Sequence, residues 1–217
     1  MFILISINRG DFRVNKPPDM TRNYKGQDLP EELESLLNEI QSLSNSDEIL
    51  EIIEAHVKKT KGFKKLNEVT YSFKGFILSS MTQMVGKDAA EKLQFANELN
   101  IGSAPRFIDF IEADDLMGVL ILQYPDSENS LPISLDEYEE RIGAVKEEEK
   151  EKFFHDMEIL ANYGKVHPTA LKSPYYWLIS PSSGRIILEN WRLLTDLEPR
   201  EEKNILLQIR KNLEILS

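Results

Sequence analysis

The stretch "RFIDFIEADDLMGVLILQY", residues 106–124, constrains the fold more than any other. Arg106 to Glu112 and Leu116 to Tyr124 are two apolar runs rich in β-branched and aromatic residues. The connection "ADD" between them is too short for anything but a tight reversal, so the two runs predict an antiparallel hairpin. A second, shorter pair predicts another: Tyr175 to Ile179 against Arg185 to Glu189, around the turn "SPSSG". Most of the remaining chain carries apolar residues at helical spacing. The expected fold class is therefore α+β, mostly helical with two antiparallel β-hairpins.

The helices can be placed from their apolar faces and caps. One begins after Asp28, with Glu31 at capping-box spacing and Leu29, Leu33, Leu36, Leu37, Ile40 and Leu43 on one face. Ser46 can cap a second, with Ile49, Leu50, Ile52, Ile53 and Val57 inward. Residues 66–85 carry two patterns: Leu66, Val69, Phe73, Ile77, Met81 and Met84 repeat like a helix, while Val69, Tyr71 and Phe73 alternate like a strand. The helical reading is preferred, with Gly86 ending the element and Asp88 capping the next helix, whose inner face holds Ala89, Leu93, Ala96 and Leu99. Ser134 with Glu137 forms another capping box, a long helix runs from about Lys146 to Tyr163, and a last one starts near Pro199. At the front of the chain, Phe2 to Ile7 reads as a strand and the Pro- and Asn-rich residues after it as an irregular arm.

Composition narrows the function. A net charge of -11 repels phosphate backbones and argues against nucleic-acid binding. The local exception, "KKTKGFKK" from Lys58 to Lys65, reads either as a small anion patch or as cations gathered at a helix C-terminus. With no cysteine there are no disulfides or thiolate metal sites, and no two histidines share helical metal-pair spacing, so no metal is expected. No run approaches the roughly 18 apolar residues of a membrane span, and the N-terminus lacks the basic start and cleavage site of a signal peptide. A cytoplasmic protein with no membrane partner is the expectation. The 217 residues suit one large domain or two small ones. The division proposed is 1–125, an N-terminal lobe or helical segment with the first hairpin, and 126–217, a helical C-terminal lobe with the second.

The order from Asp88 onward is helix, two strands, linker, helix, histidine-bearing loop and hairpin. "DAAEKLQFANELNIGSAPRFIDFIEADDLMGVLILQYPD" and "FFHDMEILANYGKVHPTALKSPYYWLISPSSGRIILENW" thereby resemble the middle of the protein-kinase and aminoglycoside-phosphotransferase superfamily. The resemblance covers roughly Asp88 to Asp196 and implies a reduced two-lobe kinase-like fold. Carried over residue by residue, it leaves most of the chemistry missing. The family's loop is His-x-Asp-x4-Asn. His167 fits the histidine, but Thr169 stands at the catalytic aspartate and Pro174 at the metal-binding asparagine. A threonine hydroxyl cannot serve as the carboxylate that orients and accepts a proton from the attacking hydroxyl. Asp-Phe-Gly becomes Glu189, Asn190 and Trp191, leaving one oxygen ligand for a hard cation. No glycine-rich phosphate loop occurs. Lys74 would be the nucleotide lysine if its segment were a strand, with Glu91 or Glu98 as its partner.

Each of these residues also has a plainer role. His167 can tie the loop backbone, Glu189 can be an ordinary strand-end carboxylate, and His56 and His155 suit helix surfaces. Trp177 and Trp191 suit the core, yet Tyr175, Tyr176 and Trp177 together make an aromatic cluster of the kind common at interfaces. The expectation is a pseudokinase-like protein, not an enzyme and without a cofactor, that binds a protein partner of basic character. The alternatives are an acidic α+β immunity- or adaptor-type protein unrelated to kinases, and an atypical nucleotide-dependent phosphotransferase.

Overall fold

The computed structural model describes residues 28–126 and 130–216. The strand expected at Phe2 to Ile7 and the arm after it lie outside the described residues. The observed fold is α+β. In chain order the helices are α1 (Glu31–Ile40), α2 (Ser46–Lys59), α3 (Gln83–Glu98), α4 (Leu135–Arg141), α5 (Glu147–Asn162) and α6 (Glu202–Glu214). The longer strands are β2 (Thr70–Phe73), β3 (Phe76–Thr82), β4 (Arg106–Glu112) and β5 (Met117–Gln123), with β1 (Lys64–Lys65) at one edge. They form one five-stranded antiparallel sheet in the order β1-β2-β3-β5-β4. Two small sheets follow. β6 (Ile133–Ser134), β8 (Leu178–Ile179) and β9 (Ile186–Ile187) form one, and β7 (Lys165–Val166) pairs with β10 (Thr195–Asp196) in the other.

Both expected hairpins are present, as β4–β5 and β8–β9, though the second spans fewer residues than its apolar run. The helical reading of residues 66–85 is corrected: the segment is the β2–β3 hairpin followed by the start of α3. The reason is the two-residue turn. Lys74 and Gly75 both have positive φ, at 46° and 84°, which is the geometry that matches the twist of a two-residue hairpin and breaks a helix. The apparent helical stripe is not a face, since Leu66, Val69 and Met84 on it are exposed while Tyr71 and Leu78, which lie off it, are buried.

Gly86 does not end an element, and Asp88 is not a cap: both lie inside α3. A Cβ at Gly86 would land within the ring of Phe110, so this glycine is a contact point between α3 and β4 rather than a stop signal. The first helix starts at Glu31, later than its apolar face suggested, with Pro30 rather than Asp28 at the N-cap. In α2 the cap is Asn45, whose side chain accepts from the Asp47 N–H, while Ser46 bonds Asp115 instead. Ser134 does cap α4 by accepting from Glu137 N–H. Lys58 and Lys59 sit in the last turn of α2, where they complement the helix dipole, and Lys65 pairs with Glu54.

The sheet is covered on both faces. On one, Leu33, Leu36, Leu37 and Ile40 of α1 and Ile49 and Ile53 of α2 pack against Tyr71, Phe73, Leu78, Ile108, Val119 and Ile121. On the other, Ala89, Ala90, Leu93 and Ala96 of α3 pack against Phe107, Phe110 and Leu120. The small residues of α3 let it approach the strands closely. That second cluster continues without interruption into the C-terminal elements through Phe153, Met157 and Leu160 of α5, Trp177, Trp191, and Ile209 and Leu213 of α6. Among the described residues no helix is long and apolar enough to cross a membrane.

Candidate functional site

Gly164, with φ 67°, turns the chain out of α5 and into the loop that carries His167. The loop is built as a rigid piece. Pro168–Leu171 and Pro174–Tyr176 each form a single 3₁₀ turn. Asn212 of α6, almost wholly buried, donates from Nδ2 to the carbonyls of Ala170 and Lys172, at 3.3 and 2.8 Å. Trp177 Nε1 donates to the Thr169 carbonyl at 2.9 Å. Every one of these bonds holds backbone.

His167 is fully buried and lies against Trp191, ring centroids 4.9 Å apart. Its Nδ1 accepts the Thr169 backbone N–H at 3.3 Å, which places the proton of the neutral ring on Nε2. Burial pushes its pKa down from 6.5 to about 4, with the backbone carbonyls of Asn190 and Glu189 offsetting part of the effect. The imidazole is thus neutral at physiological pH and acts as a loop tie. Thr169 gives its N–H to His167 and its carbonyl to Trp177, and Pro174 is buried.

Glu189 follows β9 and is exposed. Its carboxylate accepts a hydrogen bond from the Tyr124 hydroxyl at 2.9 Å, a contact between the end of the five-stranded sheet and the second hairpin. Burial, then the Glu189 charge, raises the Tyr124 pKa, so the phenol stays a donor. Asn190 adopts a left-handed conformation, φ 54° and ψ 54°, and Trp191 is buried with Nε1 on the Leu188 carbonyl at 2.8 Å.

The other candidates are scattered. Lys74 is at the tip of the β2–β3 turn, where its ammonium lies 3.2 Å from Glu32 of α1 and over the Phe73 ring. Glu91 is exposed on α3 and is not the partner of Lys74. Glu98 is exposed at the last position of that helix. Trp177 is fully buried, tilted against Phe153 at 4.7 Å, so it belongs to the core rather than to an interface. Tyr175 and Tyr176 are exposed, at 55% and 65%. Lys172 lies over the Tyr176 ring, and the Pro174–Tyr176 turn packs beside α4. Among the described residues no group of three His, Asp or Glu side chains is placed to hold a metal ion.

Two features of the site went unread in the sequence. Tyr124 closes the end of β5 and reaches Glu189, but nothing in its local pattern marks a partner 65 positions away. Asp156 sits on the buried side of α5, one residue before Met157 and three after Phe153. Its carboxylate accepts the backbone N–H groups of Ser103, at 2.7 Å, and Gly102. Burial raises its pKa, and the nearby Arg185 charge works against that. An acidic residue inside an apolar helical stripe was the available signal.

No protein-family model matches the chain, and no curated protein matches it significantly. Among solved structures, that of the Cydia pomonella granulovirus kinase PK-1 is a distant neighbour in fold, with a TM-score of 0.42 and 15% sequence identity. The match covers 70% of this chain and 58% of that one, so this chain spans less than two thirds of that kinase.

Proposed function

We propose that this protein acts by binding a protein partner and that the place of a phosphotransfer site is taken by structural contacts. The observation that carries the reading is the Tyr124–Glu189 hydrogen bond. Glu189 is the one acidic residue of the "ENW" triplet, and it is engaged by a phenol from the same chain. Around it stand groups with backbone duties: a neutral, buried His167, a Thr169 bonded on both sides, and a buried Pro174. Lys74, which would contact a nucleotide in the resemblance described above, pairs with α1 instead. Phosphoryl transfer requires converging cations and carboxylates, and these residues do not converge.

The partner we infer is basic. Tyr175 and Tyr176 supply exposed aromatic area next to α4, whose Asp136, Glu139 and Glu140 are exposed, and Glu147 and Glu148 at the start of α5 are exposed too. Exposed tyrosines beside an acidic helix suit a surface bearing Lys and Arg. The test is affinity capture from cells with the wild-type chain and with a Tyr175→Ser/Tyr176→Ser variant, followed by calorimetry on the purified partner. The reading requires a basic protein whose affinity falls at least tenfold in the variant. Undiminished capture by the variant would overturn it.

A further inference from the structure

A cavity of about 760 Å³ lies beside the segment that leaves β5. It is walled by the C-terminal end of α3 and the loop after it, by the ends of β4 and β5, and by the turn between β8 and β9. None of Lys74, Glu91, His167 or Glu189 lines it. Its volume is in the range of sites for small organic ligands.

The lining is rich in donors. Arg106 opens β4 at the rim with its guanidinium exposed, and it forms no ion pair among the described residues. Arg185 enters from the second hairpin. One of its nitrogens lies 3.2 Å from Asp126, which balances that charge and fixes the group's position. Asn100 and Gln123 add side-chain amides. Asn100 is held with φ 55°, at the bend that carries the chain from α3 toward Gly102. The floor is fixed from below by Asp156, which accepts the N–H groups of Gly102 and Ser103, and Ile101 and Ala104 supply buried apolar wall. A smaller cavity of about 320 Å³ shares Asn100, Gly102 and Arg185 with it.

Set against a net charge of -11, a guanidinium with no ion pair among the described residues, beside two amides in a concave site, is a selective feature rather than part of a general basic surface. A planar fork of donors matches the oxygens of a carboxylate or a phosphate monoester. We propose that this cavity binds a small organic oxyanion, with Arg106 as the charged anchor and Arg185, Asn100 and Gln123 as positioning donors. The proposal stands apart from the protein-binding reading, since it uses neither the Tyr175–Tyr176 surface nor Glu189.

The test is a titration of ¹⁵N-labelled protein with citrate and, separately, with glucose 6-phosphate, in the absence of magnesium and nucleotide. The signals followed are the Gly102 amide and the Arg106 Nε–H, with glucose as the neutral control. The expected result is saturable shifts at both signals for at least one anion and none for glucose. The two arms report whether carboxylate or phosphate is preferred. Arg106→Gln, at an exposed position, should keep the wild-type circular dichroism and melting temperature while weakening binding roughly ten- to a hundredfold. Absence of saturable shifts with both anions overturns the proposal. So does equal binding by Arg106→Gln, or a response confined to the lysines of residues 58–65. These outcomes leave the protein-binding reading untouched, because that reading is measured by partner capture.

Discussion

Replacing His167 by glutamine tests the loop-tie role through pH. The imidazole is completely buried, and its pKa falls from 6.5 to about 4 on folding. The folded state therefore binds the proton more weakly than the unfolded chain. The stability that depends on a neutral His167 is fully present above pH 6.5 and is lost as the pH falls toward 4. A shift of this size corresponds to about 2 kcal/mol lost between pH 7 and pH 5, and about 3 kcal/mol by pH 4. Glutamine can still present an acceptor to the Thr169 N–H but carries no titrating group. Urea unfolding of wild type and His167→Gln at pH 7, 6, 5 and 4.5 isolates the difference, because the carboxylates that also titrate are common to both chains. The variant is expected to be less stable at pH 7 and to lose much less on acidification, so that the two stability curves converge or cross. Parallel curves across this range would refute the assignment of a buried neutral imidazole.

Three further expectations follow from packing. Gly86→Ala should destabilise by about 1–3 kcal/mol, since its Cβ overlaps the Phe110 ring and that ring is itself buried; a denaturation midpoint within error of wild type would show that α3 and β4 are not so close. Trp177→Ala should cost about 3–5 kcal/mol by emptying a site against Phe153 and freeing the Thr169 carbonyl, and an unchanged melting temperature would move Trp177 to the surface. Tyr175→Ser with Tyr176→Ser, by contrast, should change stability by less than about 1 kcal/mol, as expected of exposed side chains, which leaves loss of partner capture interpretable as a surface effect.

The parts of the fold legible in the sequence were those with one dominant local signal. The β4–β5 hairpin was marked by two apolar runs around a short polar reversal, α5 by its acidic start and apolar face, and α4 by its Ser134 cap. Residues 66–85 were misread because Leu66, Val69 and Met84 share a helical period with buried residues without being buried themselves. The turn at Lys74–Gly75 decided the matter, and a lysine at positive φ carries no sequence signature. Gly86 was read as a break because a glycine that makes room for Phe110 looks the same as one that ends a helix. The candidate site divided along the same line. His167 was legible as a loop tie, while Tyr124, Asp156 and the Arg106 cavity depend on contacts between distant segments. Trp177 and its two tyrosine neighbours are adjacent in sequence, yet one faces the core and two face solvent.

The most direct test of the proposed function is thermal unfolding of wild type, Tyr124→Phe and Glu189→Ala with ATP, with and without magnesium. A ligand that binds only the folded state must raise the melting temperature. The expected result is no magnesium-dependent rise in wild type and none unmasked in Tyr124→Phe. A magnesium-dependent rise in wild type that Glu189→Ala abolishes would contradict the proposal, because it would mean that Glu189 holds a metal–nucleotide complex rather than the Tyr124 hydroxyl.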